Sequence, residues 1–509
     1  MQAAARALDR EEDDAYAGYE DDEDERPYSQ ADLDGEDLAN DFQGSKKKAT
    51  REAYDKQFRK FKKYCKDHRK GDPETLLGED LAKAGGLFLE FIGNAKTPDG
   101  VTPKWSFSTL NQCRSMLVEL DITNHLRANK QRERGIAENQ QFQARFDVAK
   151  TRVLPGGRRT GDSLANTVND GYDGDEFAAF CLFMASGAVA AKRLGWNLLR
   201  VVLCQFTALL LHFGVGRSDD SRIMNLCDIG APRDTKSIGA KVLNITLYGG
   251  KTQKGGRPKY MALLRGRTAA MCAIRALAEY LMVRFSLHGQ AGGEKYPDPR
   301  NRKDWESRPL LRSAKKGCVG VTYKSQYDSI KAVFVLLEII TSKVMHAFRV
   351  AGARMLDSYN VCLDTIRRIG RWSQDSVVES YVLNQPPEGL LVLAGYPCDG
   401  PGGVKSAYWA PRFMFEVPEK TLNECKELIL SYLPELRSNV AEVVAAGLGD
   451  RVSVPANLAA MEWIAEVAVQ DSFELADTVP DSPIVQRLQA CKSWQDARAA
   501  YVTANVWPL

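Results

Sequence analysis

The 509-residue chain lacks several common features, and each absence removes a class of function. Its longest apolar run, Val201 to Phe213, contains Gln205 and His212 and falls short of the ~20 apolar residues of a membrane-spanning helix, so no membrane partner is expected. No apolar leader opens the sequence, whose first 43 residues are acidic. Eleven cysteines form no CxxC pair, which points to reduced thiols in an intracellular protein rather than to a zinc site or a disulfide framework. No carboxylate cluster has a distinctive metal-ligand spacing, so no metal and no metal-dependent nuclease is expected. Gly250-Lys251-Thr252 is not a Walker A motif, because Ile245 stands where that motif needs glycine.

The content is that of a soluble protein, with 44% hydrophobic and 27% charged residues and length for two to four domains. A net charge of +3 conceals a strong asymmetry. Residues 1–43 carry sixteen acids and three bases, and residues 412–509 fourteen acids and eight bases. That leaves 58 bases and 36 acids in residues 44–411, a balance of +22. A basic body suits a polyanionic partner.

The pattern along the chain predicts a mainly α fold with a small β-hairpin. Residues 1–43 lack apolar periodicity and read as a disordered acidic tail. Residues 44–150 read as a helical domain. Its first helix sets Tyr54, Phe58, Phe61 and Cys65 at core-facing spacing, with Lys56, Arg59, Lys60 and Lys63 around them as phosphate-contact candidates. Residues 151–172, turn-rich and basic through Arg158 and Arg159, read as a linker. Residues 173–395 form a second domain. In it Val242 to Tyr248 alternates at period two and Lys259 to Leu264 returns, across a turn containing Lys251 and Lys254. Residues 396–509 read as a further helical region, either a packed accessory domain or an oligomer surface.

Two boxes in the second domain carry the chemistry. Gly214-Val215-Gly216-Arg217 follows the apolar run, with Asp220, Met224 and Asp228-Ile229 after it. About 115 residues on, His346-Ala-Phe-Arg349-Val-Ala-Gly-Ala-Arg354 leads to Gly370-Arg371-Trp372 and then Tyr381. In order and spacing these resemble the catalytic motifs of the tyrosine recombinases, nearest to Cre-like and crypton-type enzymes and the related fungal kinetochore DNA-binding proteins. Two residues depart from that pattern: Asp220 stands where many members have Glu, and Arg371 where Cre-like enzymes tend to have a second Gly.

The resemblance implies a helical core-binding domain, a tyrosine-recombinase catalytic domain and double-stranded DNA as partner, in a homotetramer without cofactor. Tyr381 would be the nucleophile, Arg217 and Arg349 the phosphate clamps and His346 the proton acceptor. Trp372 would donate a hydrogen bond, Asp220 would orient its neighbours, and Lys251, or Lys254 in its place, would protonate the leaving 5′ oxygen. A phosphodiester broken without metal needs such charges, because protein groups must then neutralise the transition state. The function implied is a site-specific recombinase or integrase of a crypton-like mobile element, nuclear if the host is a eukaryote. The alternatives are a domesticated DNA-binding protein without turnover and, less well matched, a type IB topoisomerase.

Overall fold

The computed structural model describes residues 39, 40, 42, 48–98, 100, 103–132, 134–153, 170–235, 240–248, 258–286, 294–314, 318–372, 386–396, 416–447, 449 and 451–505. Tyr381, Lys251, Lys254, Arg158, Arg159, nearly all of the acidic tail and most of the predicted linker therefore lie outside the described residues. The chain divides into two compact units, Met1–Ser163 and Leu164–Leu509.

The first unit is built from α1 (Lys48–Asp67), α2 (Gly78–Asn94), α3 (Phe107–Arg127) and α4 (Gln140–Val153). Phe61 and Cys65 of α1 are buried among Phe88, Leu89, Leu117 and Phe142, while Tyr54 and Phe58 pack at the core margin. Glycines let α4 lie close on α2: a Cβ on Gly93 would sit 2.9 Å from Ala149. Ser106 caps α3 by accepting the Thr109 N–H at 3.2 Å.

The second unit begins with α5 (Gly174–Ala185), α6 (Ala188–Leu194), α7 (Leu198–Phe213) and α8 (Ser218–Arg222). A three-stranded antiparallel sheet follows, β1 (Arg233–Thr235), β2 (Ala240–Leu247) and β3 (Lys259–Leu264), in the order β1-β2-β3. Next come α9 (Ala273–Ser286), α10 (Arg302–Glu306), α11 (Tyr323–Leu336), α12 (Val344–Ser358), α13 (Leu363–Gly370) and α14 (Pro387–Leu393). The unit closes with α15 (Glu419–Ile429), α16 (Pro434–Ala445), α17 (Ser453–Thr478), α18 (Pro483–Leu488) and α19 (Lys492–Asn505).

The apolar run is α7, buried almost all round, so hydrophobicity on every face here marks the centre of a core rather than a membrane segment. Among the described residues no single helix is long and apolar enough to cross a membrane. The C-terminal helices have no separate core: Met461, Ile464, Ala468 and Ile484 join one apolar cluster with Phe206, Leu210 and Leu277. The helices from α15 onward thus share the core of α7 and α9, which is their packing partner.

Candidate functional site

The site starts at the end of α7, where a β-branched residue takes an unfavourable backbone shape. Val215 has φ +45°, in the left-handed region that residues other than glycine seldom enter. Two bonds close the turn, Val215 N–H to His212 O at 3.2 Å and Gly216 N–H to Leu211 O at 2.9 Å, the Schellman pattern of a helix end. A Cβ on Gly214 would meet Met261 Sδ at 2.3 Å and the Leu210 carbonyl oxygen at 2.6 Å, so a larger residue forces the turn to shift. The turn leads directly to Arg217, which is half-buried, and aims the Val215 carbonyl across the core.

Arg349 reaches that carbonyl from α12. Its Nη1 donates to Val215 O at 2.6 Å, its Nη2 donates to Gly370 O, and its guanidinium carbon lies 4.4 Å from the centre of the Trp372 ring. Only 3% of Arg349 is exposed. Burial, with Arg371 and Arg217 nearby, brings its pKa down to about 9. His346, one turn earlier, is exposed. Partial desolvation and the charges of Arg349, Lys343 and Arg217 hold its imidazole below the usual range, so it is neutral at pH 7 and able to accept a proton.

The third piece is the end of α13. Arg371 has φ +54° and closes a second Schellman turn, with Arg371 N–H on Arg368 O and Trp372 N–H on Arg367 O, both 3.1 Å. Gly370 is required beside it, because a Cβ there would fall 1.8 Å from the Trp372 ring. The Asp220 carboxylate accepts the Arg217 backbone N–H at 3.2 Å and lies 3.5 Å from Arg371 Nη2.

Of the residues proposed from sequence, Arg217, Asp220, Arg349, His346 and Trp372 thus gather around one turn. Tyr381, Lys251 and Lys254 are outside the described residues. The other members of the first box are scaffold. Met224 is buried, and the Asp228 carboxyl, pushed up to about 6 by burial, accepts the Asn225 N–H at 2.7 Å. In the first unit, Lys56, Arg59, Lys60 and Lys63 form one stripe at i, i+3, i+4 and i+7 along α1. Three of them are exposed, and the Lys60 ammonium sits 3.9 Å over the Trp105 ring. Sequence reasoning missed the use of Arg371 and of the Val215 carbonyl. The available signal was an arginine where glycine is usual.

His212, one turn before Val215, supports the site from beneath. It is buried against Phe177 with its Nδ1 2.8 Å from the Tyr172 hydroxyl, and burial lowers its pKa to about 3. The unfolded chain takes up a proton near pH ~6.5 and the folded chain only near 3, so this histidine's contribution is complete above pH ~6.5 and falls as pH drops. At pH 5 the loss is about 2 kcal/mol. Asp228, raised rather than lowered, shifts stability in the opposite sense across part of this window. Urea unfolding of wild type and His212→Leu at pH 7 and pH 5 isolates the imidazole: the variant is expected to lose about 2 kcal/mol less on acidification. Parallel losses would mean that His212 protonates in place.

Several solved structures align with the chain at low identity. The "Flpe-Holliday Junction Complex" matches at 11% identity with a TM-score of 0.35, covering 84% of this chain and 98% of that one. "FLP Recombinase-Holliday Junction Complex I" gives 12% and 0.34, covering 85% and 98%. The XerH site-specific recombinase bound to difH gives 12% and 0.31, covering 64% and 96%. No curated protein matches the sequence. The family model described as "Centromere DNA-binding protein complex CBF3 subunit, domain 2" matches residues 207–488, which include both arginine boxes and α15 to α18. That stretch is more than half of the chain, and the protein belongs to this family.

Proposed function

We propose that this protein is a site-specific DNA strand-transfer enzyme, a recombinase or integrase of a crypton-like element, acting as a tetramer on duplex DNA. The observation that carries the reading is the meeting of Arg217, Arg349 and Arg371 around one turn with Asp220 as the carboxylate between them. Three guanidinium groups against one carboxylate leave positive charge in a partly dry place, which suits a phosphodiester. In this reading Arg217 and Arg349 neutralise the non-bridging oxygens of the scissile phosphate, and the Trp372 indole N–H donates to one of them. Neutral His346 receives the Tyr381 proton as the phenolate oxygen attacks phosphorus. The P–O5′ bond breaks, Lys251 or Lys254 gives the departing oxygen its proton, and a 3′-phosphotyrosyl link keeps the bond energy for rejoining. The α1 stripe tracks the phosphate backbone and positions rather than selects the sequence.

A second reading has its own support. The family is described by centromere DNA binding, and two nitrogens of Arg349 already serve backbone carbonyls. On that view the scaffold binds DNA without turnover. Nicked suicide duplexes built from the element's termini separate the two. Wild type is expected to form a denaturation-resistant protein–DNA adduct and Tyr381→Phe none, with equal gel shifts. A specific shift with no adduct from either protein selects the binding protein. Relaxation of supercoiled plasmid without sequence preference selects a topoisomerase.

A further inference from the structure

Arg371 does not behave as a surface arginine awaiting a phosphate. Its side chain is 7% exposed. Nη1 donates to Gly214 O and Ile369 O, both at 3.1 Å, and Nη2 donates to Val215 O at 3.2 Å. The same Nη2 lies 3.5 Å from Asp220 Oδ2. One planar group therefore holds the carbonyls of the turn before Arg217, the carboxylate after it and the end of α13, while Arg349 takes the Val215 carbonyl from the other side. Its backbone is in a conformation that favours glycine, so the side chain is kept there against a local preference.

We propose that Arg371 is a positioning residue that joins the Arg217 turn to the Trp372 turn through the Val215 carbonyl and the Asp220 carboxylate. The inference rests on the strand-transfer reading, since the groups it aligns are those assigned to the scissile phosphate. A rigid fork suits this task because its donors lie in fixed directions, whereas a lysine ammonium could satisfy only part of the set.

The test uses full-length protein. Arg371→Gly suits φ +54° without strain and removes the fork, and Arg371→Lys keeps the charge. At saturating suicide duplex, Arg371→Gly is expected to slow adduct formation about 100-fold with duplex Kd changed less than threefold, and added guanidinium ion is expected to restore part of the rate. Arg371→Lys should fall between. Asp220→Asn should cost far less in the Arg371→Gly background than in wild type, because the two residues act as one unit. An Arg371→Gly rate within threefold of wild type overturns the proposal, as does a loss that lies wholly in Kd. If Arg371→Gly fails to fold, the Arg371→Lys rate decides: a value equal to wild type overturns it. If wild type forms no adduct, the strand-transfer reading falls. The alignment claim is then decided by affinity: Arg371→Gly and Asp220→Asn must weaken duplex binding non-additively, and additive losses overturn it.

Discussion

Arg349→Ala is expected to lose adduct formation and more stability than Arg217→Ala, whose loss falls chiefly on adduct formation. The difference follows from what each guanidinium does before any DNA arrives. Arg349 is 3% exposed and donates to Val215 O and Gly370 O. Its removal leaves the Gly370 carbonyl without this donor, at about 1–3 kcal/mol, leaves Val215 O to Arg371, and opens a gap under the Trp372 ring. Relief of the repulsion from Arg371 and Arg217 returns part of that, so a net loss of about 1–3 kcal/mol in urea unfolding is the expected result. Arg217 is half-buried where Arg349 is almost fully buried, so its truncation uncovers less. Its alanine variant should lose less stability than Arg349→Ala and bind duplex within about tenfold, yet form adduct roughly 10²–10³-fold more slowly. Equal stability losses in the two variants would show that the site is not braced through Arg349. Loss of duplex binding in Arg217→Ala, with no separate effect on cleavage, would make that residue an anchor.

Motif spacing picked out Arg217, Asp220, His346, Arg349 and Trp372 but not their internal wiring, for a physical reason. Periodicity reports which face of an element is apolar. It located β2 and β3 within two residues of their observed ends. It missed β1, three polar residues whose strand character comes only from pairing with β2. Arg371 adopts the left-handed shape, and Gly370 is small so that the Trp372 ring can cover it. A carbonyl such as that of Val215 carries no side-chain signature at all, and the two arginines it receives are 134 and 156 residues away. The same limit hid the partner of the C-terminal helices, since an apolar stripe shows that a face is covered without saying by what.

That partner makes a second large effect expected, at a residue distant from the chemistry. Arg265 directly follows β3 and Asp471 lies on α17; they are 2% and 0% exposed. Arg265 Nε and Nη2 donate to Asp471 Oδ1 at 3.0 and 2.6 Å, Gln470 Oε1 accepts from Nη1, and the Ala269 N–H donates to Glu474 at 2.7 Å. Asp471→Ala removes the charge partner of a buried guanidinium and should cost about 3–5 kcal/mol, as breaking one half of a buried pair does. Replacing both partners with apolar residues, Arg265→Met with Asp471→Leu, should recover most of it, because neither charge then needs solvation. Urea unfolding followed by tryptophan fluorescence checks both variants. A loss below about 1 kcal/mol for Asp471→Ala would mean that α17 is not docked through this pair. The consequence reaches the proposed chemistry because β3 is one arm of an antiparallel pair whose intervening sequence holds Lys251 and Lys254. If α17 holds that arm, Asp471→Ala should also slow adduct formation at temperatures where the protein remains folded, and the double replacement should restore it.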